Sequence, residues 1–87
     1  MATLHQLYLF VKVAEMQNFS AVANQLYISQ PSISAQIKTL EKSLGLKLID
    51  RYESQLKKKV VLTEAGEYIF GVSKNILREW DKVAAYA

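Results

Sequence analysis

The chain has 87 residues, 51% of them apolar, enough for one modest core and too few for a second. Eleven Lys and Arg against eight Asp and Glu leave a net charge of +3, a balance that permits an anionic partner such as nucleic acid without demanding one. With no cysteine there is no disulfide framework or thiolate zinc site, with one histidine there is no imidazole cluster, and no apolar run approaches the ~20 residues of a membrane span. The N-terminus lacks the basic-then-apolar layout of a signal peptide, so the expectation is a cytoplasmic protein with no cofactor, no metal and no membrane partner.

The first segment, Thr3 to Met16, reads as a helix. Thr3 and Gln6 have capping-box spacing, and Leu4, Leu7, Tyr8, Val11 and Ala14 form an apolar stripe that Phe10 and Val13 widen. Gln17 and Asn18 break the pattern. Ser20 is the expected cap of a short second helix facing inward with Val22, Ala23 and Leu26, and Ile28 closes it.

A brief connection at Tyr27 and Ile28, without glycine, then forces a steep crossing into a third helix, the arrangement of a helix-turn-helix. That third helix runs from Ser29, a good N-cap followed by Pro31 in the first turn, to Gly45, a residue suited to a left-handed end. Ile33, Ile37, Leu40 and Leu44 give it one buried stripe. Its outer face carries Pro31, Ala35, Lys38 and Lys42, flanked by Ser34 on one side and Ser32 and Thr39 on the other, with no acid. A surface that is small and neutral at the helix entrance and cationic further along suits a DNA major groove, small residues approaching bases and lysines reaching phosphates. An ordinary amphipathic helix with solvated lysines has the same pattern.

After Gly45, alternation over 46–51 and the β-branched run Val60-Val61-Leu62 predict two short strands around a polar loop, Tyr52 to Lys59. Between Ser29 and Leu62 seven cations (Lys38, Lys42, Lys47, Arg51, Lys57, Lys58, Lys59) face three acids (Glu41, Asp50, Glu53), so the basic excess is local. Thr63 caps a last helix whose first turn holds Glu64 and Glu67. Ile69, Ile76 and Val83 recur at seven, as do Phe70, Leu77 and Ala84, and Val72 and Trp80 widen the seam. About 24 residues would extend roughly 36 Å, beyond what so small a core can cover, and the pattern is still running at Ala87. Pairing with a second chain is the expectation, as is a longer parent protein.

The ordered set FVKVAEMQNFSAVANQL, YISQPSISAQIKTLEKSLG, LKLIDR and VVLTEAG resembles the N-terminal DNA-binding domain of the LysR-type transcriptional regulators of bacteria, over essentially the whole chain. The resemblance implies a mainly α fold: a winged helix-turn-helix over 1–63, with a three-helix core, the helix-turn-helix at about 19–38 and a two-stranded wing at about 46–62. A linker helix over 64–87 follows. Its implied partners are double-stranded DNA, as an interrupted inverted repeat with thymine near one end and adenine near the other, and a second copy joined through the linker helix. Higher oligomers and a small-molecule effector belong to a C-terminal domain outside this chain.

Carried onto this sequence, the pattern puts Gln30, Pro31 and Ser34 at bases and Ser20 at the backbone; the residues themselves add Ala35 as a base contact and Ser29, Ser32, Lys38, Lys42, Arg51, Lys57, Lys58 and Lys59 as backbone contacts. Ile69, Val72, Ile76, Leu77, Trp80, Val83 and Ala84 fall at the dimer seam. Four departures stand out: Ala35 where arginine is frequent, Val22 where alanine is usual, Ile49-Asp50 where phenylalanine and glutamate are common, and an interval from Arg51 to Thr63 about four residues longer than the usual wing.

Two other function classes are weighed against this one. An enzyme would need a nucleophile with its base, a metal cluster or a glycine-rich phosphate loop, and the sequence has none of them. A dimerisation or protein-interaction module without sequence-specific DNA binding would offer an aromatic or aliphatic anchor on the third helix, where Ser, Gln and Lys stand instead.

Overall fold

A computed structural model describes residues 1–87 as five helices: α1 (Leu4–Met16), α2 (Phe19–Leu26), α3 (Gln30–Leu44), α4 (Arg51–Lys57) and α5 (Glu64–Tyr86). α1 is central, packing against α2, α3 and α5, and α2 crosses α3. The core is the space they enclose: Leu9, Phe10 and Val13 from α1, Val22 and Ala23 from α2, Ile33, Ile37 and Leu40 from α3, then Leu48, Ile49 and Val60.

Local chemistry accounts for where the helices begin. Thr3 and Gln6 form the reciprocal capping box, each side chain accepting the other's backbone N–H at 3.1 Å. Ser29 accepts the Ser32 N–H at 3.1 Å, and Gly45 ends α3 at φ 67°. The second cap differs from expectation. Asn18, in an extended conformation, accepts the Ala21 N–H at 2.9 Å, so α2 starts at Phe19 and Ser20 lies inside its first turn with its hydroxyl free for other work. Tyr27 adopts the left-handed conformation, φ 56°, that glycine would supply more cheaply, and its ring points into solvent.

Two apolar stripes differ in part from their predicted positions. In α1 the fully buried residues are Leu9, Phe10 and Val13, while Tyr8 is on the surface. In α3 the stripe ends early. Leu44 is exposed, as is Ile28 before the helix, and the next inward position is the carboxylate of Glu41, 5% exposed. Its Oε2 accepts the N–H groups of Leu48 and Ile49 at 2.7 and 3.2 Å, and its Oε1 accepts from Arg51 at 3.0 Å. An acid is tolerated inside because three donors converge on it, two of them backbone groups that would otherwise be buried unpaired.

The two-stranded wing is not formed. A single antiparallel bridge joins Ile49 to Leu62, with Asp50 N–H donating to Val61 O at 2.8 Å and Thr63 N–H to Leu48 O at 3.0 Å. Strict alternation of buried and exposed residues fails because the consecutive residues Leu48 and Ile49 are both buried. Between the bridge partners, in place of the expected polar loop, lies α4. Asp50 caps it by accepting the Glu53 N–H at 2.9 Å, and Glu53 and Lys57 pair at 3.7 Å one turn apart. The segment RYESQLK has no β-branched residue and enough length for nearly two turns, so the extra residues of this interval become helix.

α5 docks by its N-terminal half. Gly66 lies so close to the strand-like segment that a Cβ would stand 2.0 Å from the Leu48 carbonyl oxygen, which is why α5 can cross there. Ile69 and Phe70 pack on the core and Ser73 is buried against it, but every residue from Arg78 to Ala87 is exposed. The molecule is therefore elongated, 44 × 27 × 21 Å, with a bare helical end.

Candidate nucleic-acid interface

α3 presents one face to solvent: Gln30, Pro31, Ser32, Ala35, Lys38 and Lys42 are exposed and Ser34 is half-buried, and no acid intervenes. Its orientation is set from behind. Gln6, buried in α1, uses its carboxamide oxygen for the capping box and its Nε2 to donate to Gln36 Oε1 on α3 at 3.0 Å. One side chain thus both starts α1 and fixes how the third helix lies across it.

Two open grooves flank α3, and both are cationic. The first, about 350 Å³, lies between the start of α2 and α4; its lining includes Asn18, Ser20, Gln30, Arg51, Lys58 and Lys59. The second, about 680 Å³, lies at the C-terminal end of α3 among Lys38, Lys42, Lys47, Arg51 and the buried Glu41. Arg51 belongs to both. Held by Glu41, its guanidinium joins the two grooves into one positive margin beside α3. Lys47 and Glu41, counted in the local charge balance but not among the expected contacts, line the second groove. The signal for Glu41 was its place in the helical repeat of Ile33, Ile37 and Leu40, where an acid on the edge of a buried stripe needs a partner.

The lysine triplet divides. Lys58 is itself left-handed, φ 55°, and ends α4; Lys59 N–H donates back to Ser54 O at 3.2 Å, and Val60 N–H donates to the Gln17 carbonyl at 2.9 Å. Ser54 Oγ also accepts the Val61 N–H at 2.8 Å. These bonds hold the backbone of Lys58 and Lys59 beside the α2 entrance, whereas Lys57 pairs with Glu53 and stands outside that groove, lining with Lys59 a hollow beside Glu67 and Phe70.

The serines differ in what their single protons do. Ser29 Oγ donates to Ser32 Oγ at 2.8 Å, and Ser20 Oγ donates to Gln30 Oε1 at 2.8 Å across the helix-turn-helix. No group of three or more His, Cys, Asp or Glu side chains is placed to hold a metal ion, and no helix is long and apolar enough to cross a membrane.

On α5 the predicted seam is unevenly buried. Ile69 and Leu77 are half-buried, while Val72, Ile76, Trp80, Val83 and Ala84 are exposed, Ile76 by 41%, Trp80 by 54% and Val83 by 60%. Tyr8 and Val11 of α1 and Leu77 and Trp80 of α5 line a groove that continues this face, together with the charged side chains of Lys12, Glu15 and Asp81.

A family model described as bacterial regulatory helix-turn-helix protein, lysR family, matches residues 4–67. The chain belongs to the LysR family. It is 43% identical over 75 residues to the HTH-type transcriptional activator CmpR of a Synechocystis strain, a match covering 86% of this chain and 23% of CmpR. To the RuBisCO operon transcriptional regulator of Allochromatium vinosum it is 42% identical over 84 residues, covering 93% and 26% of the two chains. This LysR-family chain therefore spans about a quarter of the length of these curated relatives.

Among solved structures, the BenM DNA-binding domain in complex with catB site 1 DNA superposes with a TM-score of 0.87 at 32% identity, over 97% of this chain and 90% of that one. The LysR-family regulator CbnR superposes with a TM-score of 0.85 at 32% identity, over 97% of this chain and 28% of CbnR.

Proposed function

We propose that the chain is the DNA-binding part of a bacterial transcriptional regulator, reading double-stranded DNA with α3 in the major groove. The carrying observation is the acid-free outer face of α3 between two cationic grooves that meet at Arg51. Gln30, Pro31, Ser34 and Ala35 meet base edges, Gln30 bonding adenine at N6 and N7 and the apolar surfaces of Pro31 and Ala35 suiting a thymine methyl. Ser32, Lys38, Lys42, Lys47, Arg51, Lys58 and Lys59 hold phosphates, with Ser29 positioning Ser32. α4 and the lysines after it stand in the place of a wing.

The exposed seam of α5 supports a homodimer that presents two such surfaces to an interrupted inverted repeat in the cytoplasm. Effector binding and higher assembly would reside in the remaining three quarters of a protein of the relatives' length. The test is selection of bound duplexes from a random pool, followed by Gln30→Ala on the selected site. The expected loss is about 1–3 kcal/mol on that site and far less on random DNA. Equal losses on both would remove Gln30 from base reading, and failure to enrich any sequence would favour a protein-interaction module.

A further inference from the structure

Gln30 is the first residue of α3 and fully on the surface, a position where a glutamine with three rotatable bonds ordinarily samples many arrangements. Here it has a partner. Ser20, in the first turn of α2 and ten residues earlier, donates its hydroxyl proton to Gln30 Oε1 at 2.8 Å, bridging the two helices of the helix-turn-helix on their outer side. The cap shift makes this possible: Asn18 satisfies the Ala21 N–H at the start of α2, so the Ser20 side chain is not needed as a cap.

The chemistry of the two groups limits both. A serine hydroxyl has one proton, and phosphate oxygens only accept, so Ser20 cannot donate to Gln30 and to a DNA phosphate at once. The bond also orients the amide: Oε1 is turned toward α2, keeping one lone pair, and both N–H groups of Nε2 are turned away and unpaired. An acceptor and a donor side by side complement adenine, which offers the N6 donor and the N7 acceptor, and mismatch guanine, whose O6 and N7 both accept.

We infer that Ser20 is a positioning residue for base selection, preorganising the Gln30 amide for adenine and against guanine, and not a phosphate anchor. This rests on the reading that Gln30 meets a base. Ordering the amide before DNA arrives removes part of the entropy that ordering on binding would lose, and it suppresses the flipped amide that would tolerate other bases.

The test uses the 87-residue chain with Ser20→Ala, Ser20→Thr, Gln30→Ala and the double variant, each titrated against the selected duplex, duplexes with every single base-pair change, and random DNA, at several salt concentrations. Wild type should prefer the A·T pair over G·C at the position Gln30 reads by about 10- to 100-fold. Ser20→Ala should compress that preference to a few-fold, leave random-DNA affinity and the salt slope unchanged, and add nothing to Gln30→Ala in the double variant; Ser20→Thr, which keeps the hydroxyl, should restore discrimination. If Ser20→Ala weakens selected and random duplexes alike and flattens the salt slope by about 0.9, Ser20 is a phosphate contact and the inference is overturned. Additive losses in the double variant overturn it as well. A Gln30→Ala variant that still discriminates every base pair as wild type does removes the base-reading role itself, a different failure visible in a different variant.

Discussion

α3 and the C-terminal half of α5 carry apolar residues at the same helical spacing, yet Ile33, Ile37 and Leu40 are completely buried while Ile76, Trp80 and Val83 are about half exposed. Each stripe needs a surface to cover it. α3 finds that surface on α1 and α2 of its own chain, and α5 runs out of chain to lie on after Leu77. A periodic apolar stripe therefore specifies a helix that will be covered, and is silent on whether the cover is intramolecular.

The largest expected effect sharpens this contrast. Ile37→Ala should destabilise the chain by about 2–5 kcal/mol in denaturant unfolding, the cost of forfeited transfer energy and a residual cavity. Ile76→Ala should cost under about 1 kcal/mol in the monomer, because its side chain remains partly in water. Comparable losses in dilute chain would mean that α5 is covered from within.

Assembly is the complementary measurement. Ile76→Glu should leave monomer stability nearly intact and yield monomers in sedimentation at concentrations where the unaltered chain is a dimer, weakening binding to a two-half-site duplex because the tethered neighbour is gone. An unaltered chain that sediments as a monomer at high concentration while binding an inverted repeat cooperatively would place the pairing surface elsewhere.

The lysine triplet divides along the same line, between groups engaged by the chain and groups left open. Alanine at both Lys58 and Lys59 should lower the log–log salt slope by roughly 0.9 for each phosphate no longer neutralised, with similar weakening on selected and random duplexes. Alanine at Lys57, which pairs with Glu53 away from the α2 groove, should move the slope little. A Lys57 effect equal to the others would put α4 itself on the DNA.

Two glycines of one helix repeat the contrast between a covered and an open position. Gly66→Ala forces a Cβ into the Leu48 carbonyl and should destabilise by about 1–3 kcal/mol. Gly71→Ala meets nothing within 4 Å and should stabilise by about 0.5–1 kcal/mol through helix propensity, read as opposite shifts of the unfolding midpoint.

Much of this molecule is legible from residues that act on near neighbours. Thr3 with Gln6, Ser29 with Pro31, Gly45 and Thr63 mark helix ends because capping is completed within a few residues, and the stripe of α3 locates its outer face because helical geometry alone relates them. The family is readable for the same reason: its motifs are short and ordered along the chain. What tertiary structure alone decided involves groups far apart in sequence or choices that are locally balanced. Alternation at 46–51 suited a strand until Leu48 and Ile49 were both drawn into the core by the three-helix packing, and RYESQLK became helix once Asp50 was held by Val61 at the bridge. Glu41 lies inside because Leu48, Ile49 and Arg51 bring their donors to it, and Ser20 meets Gln30 because two helices cross. A hydrogen bond between residues ten apart depends on the angle of that crossing, and the crossing is set by Val22, Ala23, Ile33 and Ile37 packing in the core, which no local pattern states.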